Sequence, residues 1–410
     1  MRLLFIADGR SPIARSWIDY FIDRGDEVHL LTTSSISNGQ GFASVENVSV
    51  AFSASSPARA LASVVPDGGM ASHAGSGRMR LRSAARHWFG PLTVAGAARR
   101  AREVIERTRP DLVHALRIPF EGMVGAGTGT SAPLILSVWG TDFSLHAGAS
   151  PGMGRLTRRS LRRADALLAD CHSDIGRALE WGYPAGKPVL VVPGNGGVRG
   201  DIFHRVDSPP PSPRSRIWLE SIPKEAPVVI NPRGIRSYVR NDTFFRAIPT
   251  ILAAYPRTVF VCPGMAGEAE AQSRLEQTNV GRAVRLLPRV KPEEMAALFR
   301  RADVSVSPSE HDGTPNTLLE AMACGCFPVA GDLVSVREWI EPGGNGLLVD
   351  PSSASSLSEA VIRALGEPSL LDRAVDLNAR LVQDWAGYPE VMGKAAAFYA
   401  DSVRRSAGGR

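Results

Sequence analysis

Short apolar runs and longer amphipathic segments alternate along the chain, and the alternation occurs twice. Residues 3–7 form an apolar run, apolar residues recur at helical spacing from Ile13 to Ile22, and residues 28–32 form a second run. The second half repeats this pattern, with apolar runs at 228–231, 258–262, 284–287, 304–307 and 327–330. Strands that alternate with helices form parallel sheets covered by helices. The pattern therefore predicts two α/β units of the Rossmann type.

The clearest linker signal is the sequence SPPPSP at residues 208–213. Consecutive prolines form a semi-rigid spacer, so we predict a first domain at 1–207 and a second at 208–384. Residues 385–410 are predicted to form a terminal helix. Residues 53–77, rich in Ala, Ser and Gly, are predicted to be a loop.

The composition narrows the class of protein. The 410 residues allow two separate cores, and 44% hydrophobic with 21% charged residues is typical of a soluble globular protein. The formal charge of +6 suits anionic ligands or a membrane surface and does not argue for nucleic acid. Four cysteines are too few for a disulfide framework, so we expect buried thiols in a reducing cytosol. Apolar runs are too short for a signal peptide or a membrane span, which predicts a cytoplasmic protein.

The most informative stretch lies at residues 307–329, where a strand, a polar loop and a helix follow one another. Pro315 is favoured at the first helical position, Thr314 can cap the helix, and Gly325 can end it. We therefore predict a helix over 315–324. The free backbone N–H groups at its start would face the loop, which is a geometry that binds anions.

Two carboxylates flank this helix start. Asp312 lies just before it, and Glu320 lies about one and a half turns into it, on the face shared with Asn316. Because a phosphate would repel a nearby carboxylate, we expect these acids to bind hydroxyl groups of a sugar or a ribose. The alternative interpretation is a capped helix with two solvated acids.

This segment resembles the donor-sugar signature of the retaining glycosyltransferases of family 4. Members have the GT-B fold, in which two Rossmann-like domains face each other across a cleft. They carry two glutamates separated by seven residues, the second within Glu-Ala-Met-Ala-x-Gly, which residues 320–325 match. Asp312 stands where the first Glu is usual, and Glu310 is two positions out of register. The resemblance implies a donor site that includes Asp312, Gly313, Thr314, Pro315, Asn316 and Glu320, with Asp312 as a catalytic residue.

The resemblance also implies cations for the donor diphosphate. Family members place an Arg in the turn after the first strand of the second domain and a Lys several residues later. Arg233 matches the first position, and Arg240 is our choice for the second, with Arg236 as a competitor. Both Arg233 and Arg240 are expected to act in catalysis. Val290 lies where the family's backbone holds the nucleobase.

In the first domain, the resemblance makes Gly9 and Arg10 part of the loop that faces the donor phosphates. This loop is not a GxGxxG, so a dinucleotide-binding interpretation is weak. The predicted strand 134–138 is followed by Trp139, where many members have a His near the reacting sugar. Asp142, three residues later, is a candidate catalytic residue that binds the acceptor or the sugar, and a structural turn is the equal alternative.

Arginines recur at helical spacing between residues 78 and 109, beside Leu81, Trp88 and Leu92, and again between 155 and 163. A solvated helix face is the ordinary explanation. The alternative is a basic surface for a phosphate-bearing acceptor or for an anionic membrane, which would hold the protein peripherally on the inner face of the membrane.

Together these expectations describe a retaining, metal-independent glycosyltransferase without a cofactor. It would move a sugar from a UDP- or GDP-linked donor to a hydroxyl acceptor on a glycan, a lipid-linked molecule or a natural product. Arginines and helix-end amides can stabilise the diphosphate charge. The sequence has no convincing DxD-like pair of carboxylates that would indicate a metal site. The alternatives are a sugar-nucleotide epimerase or hydrolase on the same fold, a glycoside hydrolase that uses Asp312 and Glu320, and a non-catalytic anion-binding scaffold.

Overall fold

A computed structural model describes residues 1–36, 39–51, 75–206 and 208–408, with the backbone alone for residues 75–83. The chain divides into two compact units, of which one comprises Met1–Gly196 with Val391–Arg410 and the other Gly197–Glu390. Each unit is built on one parallel β-sheet with helices. The two predicted Rossmann-like α/β units are therefore confirmed.

The sheet of the first unit has seven strands. They are β1 (Arg2–Ala7), β2 (Glu27–Thr32), β3 (Ser44–Asn47), β4 (Leu112–Ala115), β5 (Leu134–Val138), β6 (Ala166–Ala169) and β7 (Val189–Val191). Their order is β3-β2-β1-β4-β5-β6-β7, and all neighbours are parallel. The central strands are continuous apolar runs because both faces of the sheet are covered, and every residue from Leu3 to Ala7 is fully buried.

The helices of the first unit are α1 (Pro12–Asp23), α2 (Gly75–Thr108), α3 (Met123–Gly127), α4 (Pro151–Arg163) and α5 (His172–Glu180), with helical turns at Ile118–Gly122, Asp142–Ala147 and Pro193–Asn195. In α1 the buried face is Ala14, Trp17, Ile18 and Phe21, so Ile13 and Ile22 of the predicted stripe lie at its edge. Residues 75–77, predicted as loop, form the first turn of α2. The rest of the predicted loop, 53–74, lies outside the described residues.

The sheet of the second unit has six strands, in the order β10-β9-β8-β11-β12-β13, all parallel. They are β8 (Val228–Ile230), β9 (Val259–Pro263), β10 (Val284–Leu287), β11 (Val304–Ser307), β12 (Phe327–Gly331) and β13 (Leu347–Val349). Alternate residues of β8 belong to two different apolar cores. Val228 and Ile230 pack into one core, and Val229 packs into the other. This alternation places a core on each face of the sheet.

The helices of the second unit are α6 (Pro213–Glu220), α7 (Asn241–Ala254), α8 (Ala269–Thr278), α9 (Pro292–Arg301), α10 (Asn316–Ala323), α11 (Ala354–Gly366) and α12 (Pro368–Ala386), with a 3₁₀ turn at Val336–Glu338. The last helix, α13 (Tyr388–Gly408), starts in the second unit and belongs to the first from Val391 onward. In the first unit, Trp17 Nε1 donates to the buried Tyr399 hydroxyl at 2.8 Å, and Tyr399 also contacts His114 Nδ1. Burial lowers the pKa of His114 to about 3, so this histidine is neutral.

The boundaries between the two units lie at other positions than those predicted from the sequence. The proline-rich stretch 208–213, where we expected the boundary, belongs to the second unit. The reason is local packing, since Ser212 caps α6 and donates to Glu294 Oε1 at 2.6 Å, while Arg214 pairs with the same carboxylate at 2.5 Å. The chain passes from the first unit to the second after Gly196 and returns to the first at Val391. The boundaries predicted from the sequence were after residue 207 and after residue 384.

Strand order locates the ligand-binding edge of each sheet. The order reverses between β1 and β4 in the first unit and between β8 and β11 in the second. Ligands of open α/β sheets bind beyond the carboxyl ends of the strands at such points. In the first unit, the loop after β1 carries Gly9 and Arg10, and the loop after β4 carries Arg117. In the second unit, the loop after β8 carries Arg233, and the loop after β11 carries Asp312.

All four cysteines are buried free thiols, as predicted. Within the described part of the chain, no helix is both long and apolar enough to cross a membrane.

Candidate functional site

In the second unit, the loops after β8 and β11 meet because these strands are parallel neighbours. Arg233 Nη2 donates to both carboxylate oxygens of Asp312, at 2.9 and 2.7 Å, and Arg233 Nη1 donates to Thr317 Oγ1 at 3.2 Å. The side chains of Arg233 and Asp312 are only 9% and 11% exposed. The structure thus joins two predicted site residues in a nearly buried ion pair.

One nitrogen of the Arg233 guanidinium forms no hydrogen bond with the described residues. Its Nε is buried and has no hydrogen-bond partner among the residues that the structure describes. Leaving such a group unsatisfied costs on the order of 1–3 kcal/mol, which an incoming acceptor atom would recover. Thr317 lies in the first turn of α10, so the Arg233 guanidinium lies beside the positive end of a helix.

Helix α10 spans Asn316–Ala323 and follows Pro315 as its N-cap. Thr314 does not cap it as predicted, because its hydroxyl accepts a hydrogen bond from Trp339 Nε1 at 3.2 Å. Gly325 follows the helix with φ of +86°, a left-handed conformation that favours glycine, and so ends it as predicted.

The Asp312 loop is held by contacts from the following elements. Ser335 Oγ donates to the Asp312 carbonyl at 2.8 Å, and Gly313 beside it is buried. At the end of β12, a Cβ added to Gly331 would lie far inside van der Waals contact with the Ser309 carbonyl oxygen. A glycine is therefore needed at 331 for the loop to pass this close to the strand.

Arg240 precedes α7 and is held by two carboxylates. It donates to Asp242 through Nε and Nη2, both at 2.9 Å, and to Glu310 through Nη1 at 2.6 Å. These bonds raise the pKa of Arg240 and lower the pKa of Asp242 to about 2. Arg236, the competing candidate, is exposed and donates Nε to the Arg233 carbonyl at 3.0 Å.

Glu320 lies on α10 and is half-buried, as is Asn316 one turn earlier. Burial raises the pKa of Glu320 to about 7, although the charge of Arg233 opposes the shift. Its carboxyl group is therefore partly protonated near neutral pH and can both donate and accept hydrogen bonds. This property suits the recognition of hydroxyl groups.

Val290 lies in the loop after β10, at the same edge of the sheet as the Arg233 loop and two strands away from it. Its half-buried side chain packs against the core, which leaves its backbone for any contact with a ligand.

In the first unit, the loop after β1 holds Gly9 and Arg10. Arg10 Nε and Nη2 donate to Asp8 at 3.0 and 2.9 Å, and the Ser34 hydroxyl donates to the same carboxylate. Burial alone would raise the pKa of Asp8, but these hydrogen bonds lower it to about 2. Gly9 N–H donates to Thr32 Oγ1 at 3.1 Å, and a Cβ at this position would lie 2.7 Å from Ile36.

Asp142 occupies the turn after β5 and is 1% exposed. Its Oδ1 accepts from Arg117 Nε and Nη2 at 3.1 and 2.9 Å, and its Oδ2 accepts from the N–H groups of Ile118 and Trp139 at 3.1 and 3.2 Å. Arg117 also lies over the Trp139 ring, with Cζ 5.4 Å from the centroid. With both oxygens engaged, Asp142 fits the structural turn rather than contact with a sugar.

A second polar cluster in the first unit was not found by sequence reasoning. It contains Arg86, His87, Arg117, Glu121 and His146. In the sequence, Arg86 was noted only as part of the arginine-rich stretch between residues 78 and 109. His87 and His146 are 59 positions apart and contact through Nε2 and Nδ1 at 3.0 Å. The available signal was topological, since Arg117 and His146 both follow adjacent strands, β4 and β5.

Comparison with known proteins identifies the family. Residues 217–381 match the family described as Glycosyl transferases group 1, and residues 9–194 match the Glycosyl transferase 4-like domain. The chain belongs to the family 4 glycosyltransferases. This agrees with the resemblance at residues 320–325.

Relatives of this family 4 chain include two named D-inositol 3-phosphate glycosyltransferase. The one from Thermobispora bispora is 27% identical over 59% of this chain and 57% of the relative, and the one from Geodermatophilus obscurus is 31% identical over 51% and 47%. A glycogen synthase of Mycobacterium tuberculosis is 23% identical over 68% and 66%. The chain spans about half the length of most of the curated relatives it matches.

Solved structures agree with the GT-B fold over the whole chain. Sucrose-phosphate synthase from Thermosynechococcus elongatus has a TM-score of 0.73 at 14% identity, covering 98% of this chain and 99% of that one. Anabaena Alr3699/HepE, in complex with UDP-glucose, has a TM-score of 0.69 at 16% identity, covering 98% and 100%. At such identities the similarity establishes the fold alone.

Proposed function

We propose that this family 4 chain is a retaining, metal-independent glycosyltransferase that moves a sugar from a nucleoside diphosphate sugar to a hydroxyl acceptor. The observation that carries the proposal is the Arg233 Nε, a buried N–H donor that has no hydrogen-bond partner among the described residues. It belongs to a guanidinium group that lies beside the start of α10. A phosphate oxygen is the acceptor that best satisfies both the charge and the geometry.

In the reaction, the bond between the sugar C1 and the diphosphate oxygen breaks, and the bond between C1 and the acceptor oxygen forms on the same face. The acceptor proton passes to the leaving diphosphate. Arg233, Arg240 and the N–H groups of Gly313 to Asn316 are proposed to stabilise the negative charge that develops on that diphosphate. Asp312 orients Arg233 and is proposed to bind a sugar hydroxyl.

Glu320 is proposed to bind the ribose hydroxyls, because its partly protonated carboxyl group can donate and accept. Gly9, Arg10, Arg236 and Val290 are proposed as further donor contacts. UDP is the first nucleotide to test, since the similar Anabaena Alr3699/HepE was solved with UDP and with UDP-glucose. GDP is the second.

Metal independence is proposed because arginines and helix-end amides supply the positive charge that a divalent cation would supply. In the described residues, three side chains of metal-ligand type lie within 4.8 Å of one another only at Asp170, Cys171 and Asp174, which are buried in the first unit. Activity in excess chelator supports this part of the proposal, and activity that returns only with Mn²⁺ or Mg²⁺ contradicts it.

The decisive experiment is a thermal-shift screen of UDP, GDP and their sugars, followed by an assay for sugar release from the bound donor without acceptor. A ligand at 100 times its Kd stabilises the folded state by about 2.7 kcal/mol, which raises Tm by several degrees. Stabilisation by one nucleotide family is expected. If no nucleoside diphosphate or sugar nucleotide shifts Tm, the proposed function is overturned.

We also propose peripheral contact with an anionic membrane through the surface of α2. Trp88, Phe89 and Leu92 are 61%, 58% and 77% exposed, which is unusual for side chains of this size. Helix α4, whose Arg155, Arg158, Arg159 and Arg162 are exposed, begins beside them, because Ser150 Oγ at its N-cap donates to the His87 carbonyl at 2.7 Å. Exposed apolar residues beside arginines are the combination that binds anionic membranes.

A further inference from the structure

Two arginines and two histidines from different segments converge beyond the carboxyl ends of β4 and β5. His87 Nε2 and His146 Nδ1 are 3.0 Å apart, with the ring planes at 66°. Arg86 precedes His87 on α2 and lies over the Phe120 ring, with Cζ 4.8 Å from its centroid. Arg117 follows β4, and its charge acts on both Arg86 and His146.

Only one of the two arginines of this cluster is ion-paired in the described part of the chain. Arg117 is paired with Asp142, but Arg86 forms no ion pair within the part of the chain that the structure describes. The carboxyl group whose charge acts most strongly on Arg86 is Glu121, followed by Asp8, and Glu121 is buried and accepts from Thr33 Oγ1 at 2.8 Å. Burial raises the pKa of Glu121, although the charges of Arg117 and Arg86 and the hydrogen bond from Thr33 oppose the shift.

The pKa values of the two histidines are lowered by the same surroundings. Burial and the charge of Arg86 lower the pKa of His87, and burial, Arg117, His87 and Arg86 lower the pKa of His146 to about 3. These shifts favour neutral imidazoles, which contact each other through Nε2 of His87 and Nδ1 of His146. An anion placed there would form charge-assisted hydrogen bonds with the arginines and would favour protonated imidazoles.

We propose that Arg86, His87, Arg117 and His146 bind a phosphate group carried by the acceptor. Arg86 is the principal cation, because Arg117 is shared with Asp142, and the histidines supply further N–H donors. This inference rests on the proposed glycosyltransferase function and adds to it the chemical class of the acceptor. It concerns the first unit only, whereas the proposed donor residues around Arg233 lie in the second.

The phosphate has two chemical sources that the cluster cannot distinguish. A phosphate monoester in solution presents the same oxygens as a lipid headgroup, and the exposed Trp88, Phe89 and Leu92 lie next to the cluster on α2. The experiment therefore has one arm for each source.

The first arm titrates inorganic phosphate into the whole protein at low ionic strength, by calorimetry and by the imidazole NMR signals. We expect binding that Arg86→Gln and His146→Gln each weaken at least about tenfold, as for loss of a charged hydrogen bond. Arg99→Gln, on the exposed surface of the same helix, is the matched control and should retain the wild-type affinity. Arg233→Gln removes donor-site phosphate binding and should also leave this affinity unchanged.

The second arm measures co-sedimentation with vesicles that contain phosphatidic acid, against vesicles of phosphatidylcholine alone. Loss of both phosphate and vesicle binding in Arg86→Gln supports a lipid headgroup, and loss of phosphate binding alone supports a soluble phosphate ester. Equal phosphate affinity for Arg86→Gln and Arg99→Gln, or no binding to the wild type, overturns the proposal. Because no donor nucleotide is used, either result is independent of whether the donor site is correct.

Discussion

At the scale of single residues, the ion pair between Arg233 and Asp312 governs the proposed donor site. Nearly buried charges are tolerated only when they are paired, and here two of the three guanidinium nitrogens are used. The remaining Nε stays available for a ligand. The pair thus holds a cation in position before any phosphate arrives, which reduces the cost of ordering the site on binding.

We predict that Arg233→Gln weakens UDP binding at least about tenfold, because it removes a charge-assisted hydrogen bond to the diphosphate. The control is Arg257→Gln, an exposed arginine just before β9 and therefore at the opposite edge of the sheet, whose loss should change affinity by less than about threefold. Isothermal calorimetry measures both.

Arg233→Gln also leaves the Asp312 carboxylate without its partner, so reduced folding could imitate reduced binding. The double variant Arg233→Gln/Asp312→Asn avoids this unpaired charge and should bind UDP as weakly as the single variant. Full recovery of affinity in the double variant would mean that Arg233 does not contact the nucleotide.

Glu320 gives a prediction on stability against pH. Its pKa lies at about 7 in the folded protein, above the ordinary value of 4.5. Below about pH 4.5 the group is protonated in both states. As pH rises to 7 the unfolded chain loses the proton first, and the wild type loses up to about 3 kcal/mol of stability. Glu320→Gln lacks this loss, so it should become increasingly more stable than the wild type over that range.

Urea unfolding at several pH values from 4.5 to 8 measures this difference. Glu359→Gln, an exposed substitution on α11, is the matched control and should follow the wild type at every pH. A constant difference between Glu320→Gln and the wild type across the range would show that Glu320 is not held in a protonated state.

Sequence patterns could place Arg233, Asp312 and Glu320 in one region, because the carboxyl ends of parallel strands meet at one edge. They could not predict that Arg233 binds Asp312 itself, since we assigned that acid to sugar hydroxyls. Pairing depends on side-chain distances of a few ångströms, which no spacing encodes. The same holds for Arg240, whose pairing with Glu310 was not anticipated.

At the scale of elements, the loop between β11 and α10 is positioned by its neighbours more than by its own sequence. Ser335 and Trp339 follow β12 and donate to Asp312 and Thr314. Thr314 therefore serves tertiary packing rather than the helix cap that its local sequence favours. Local propensity yields to tertiary contacts at such positions.

We predict that Gly331→Ala destabilises the second unit by about 1–3 kcal/mol, because the new methyl group overlaps the Ser309 carbonyl. Moving Ser309 displaces the loop that leads to Asp312, so UDP affinity should fall as well. Gly281→Ala is the control, since a Cβ there has no neighbour within 4 Å, and it should change stability by less than about 0.5 kcal/mol. Equal unfolding midpoints for both variants would contradict the proposed steric role.

The strands were predictable because fully buried parallel strands are continuous apolar runs. The start of α2 was not, since residues 75–77 are glycine and serine and their composition favours a loop. The turn at Asp142 was open to two interpretations because its role depends on Arg117, which is 25 positions earlier in the chain.

At the scale of the whole molecule, the sequence predicted two α/β units but not where they divide. Prolines at 208–213 looked like a spacer, yet Arg214 and Ser212 are tied to Glu294 within the second unit. A carboxylate 80 positions away from Arg214 cannot be recognised as its partner from composition. Tyr399 likewise joins α13 to the first unit through Trp17, 382 positions earlier.

The last prediction concerns the surface formed by Trp88, Phe89 and Leu92 on α2. Exposing three large apolar side chains to water is unfavourable, and inserting them into a bilayer would recover part of that free energy. The exposed arginines of α4 nearby would each add on the order of 1 kcal/mol at an anionic surface. Binding should therefore need both anionic lipid and the apolar residues, and moderate salt should weaken it.

Replacing Trp88, Phe89 and Leu92 together by serine should reduce binding to phosphatidylserine vesicles by at least about tenfold, with little effect on Tm because these side chains are exposed. The matched control replaces Ile217, Val334 and Trp385 by serine, three apolar residues of the second unit that are 65%, 66% and 65% exposed. If exposure of apolar side chains alone caused vesicle binding, both triple variants would lose it equally. Selective loss in the α2 variant is expected, because its apolar residues have neighbouring arginines to bind the lipid phosphates. Equal, negligible binding of the wild type to anionic and neutral vesicles would refute the membrane contact and leave the α2 arginines as a solvated face.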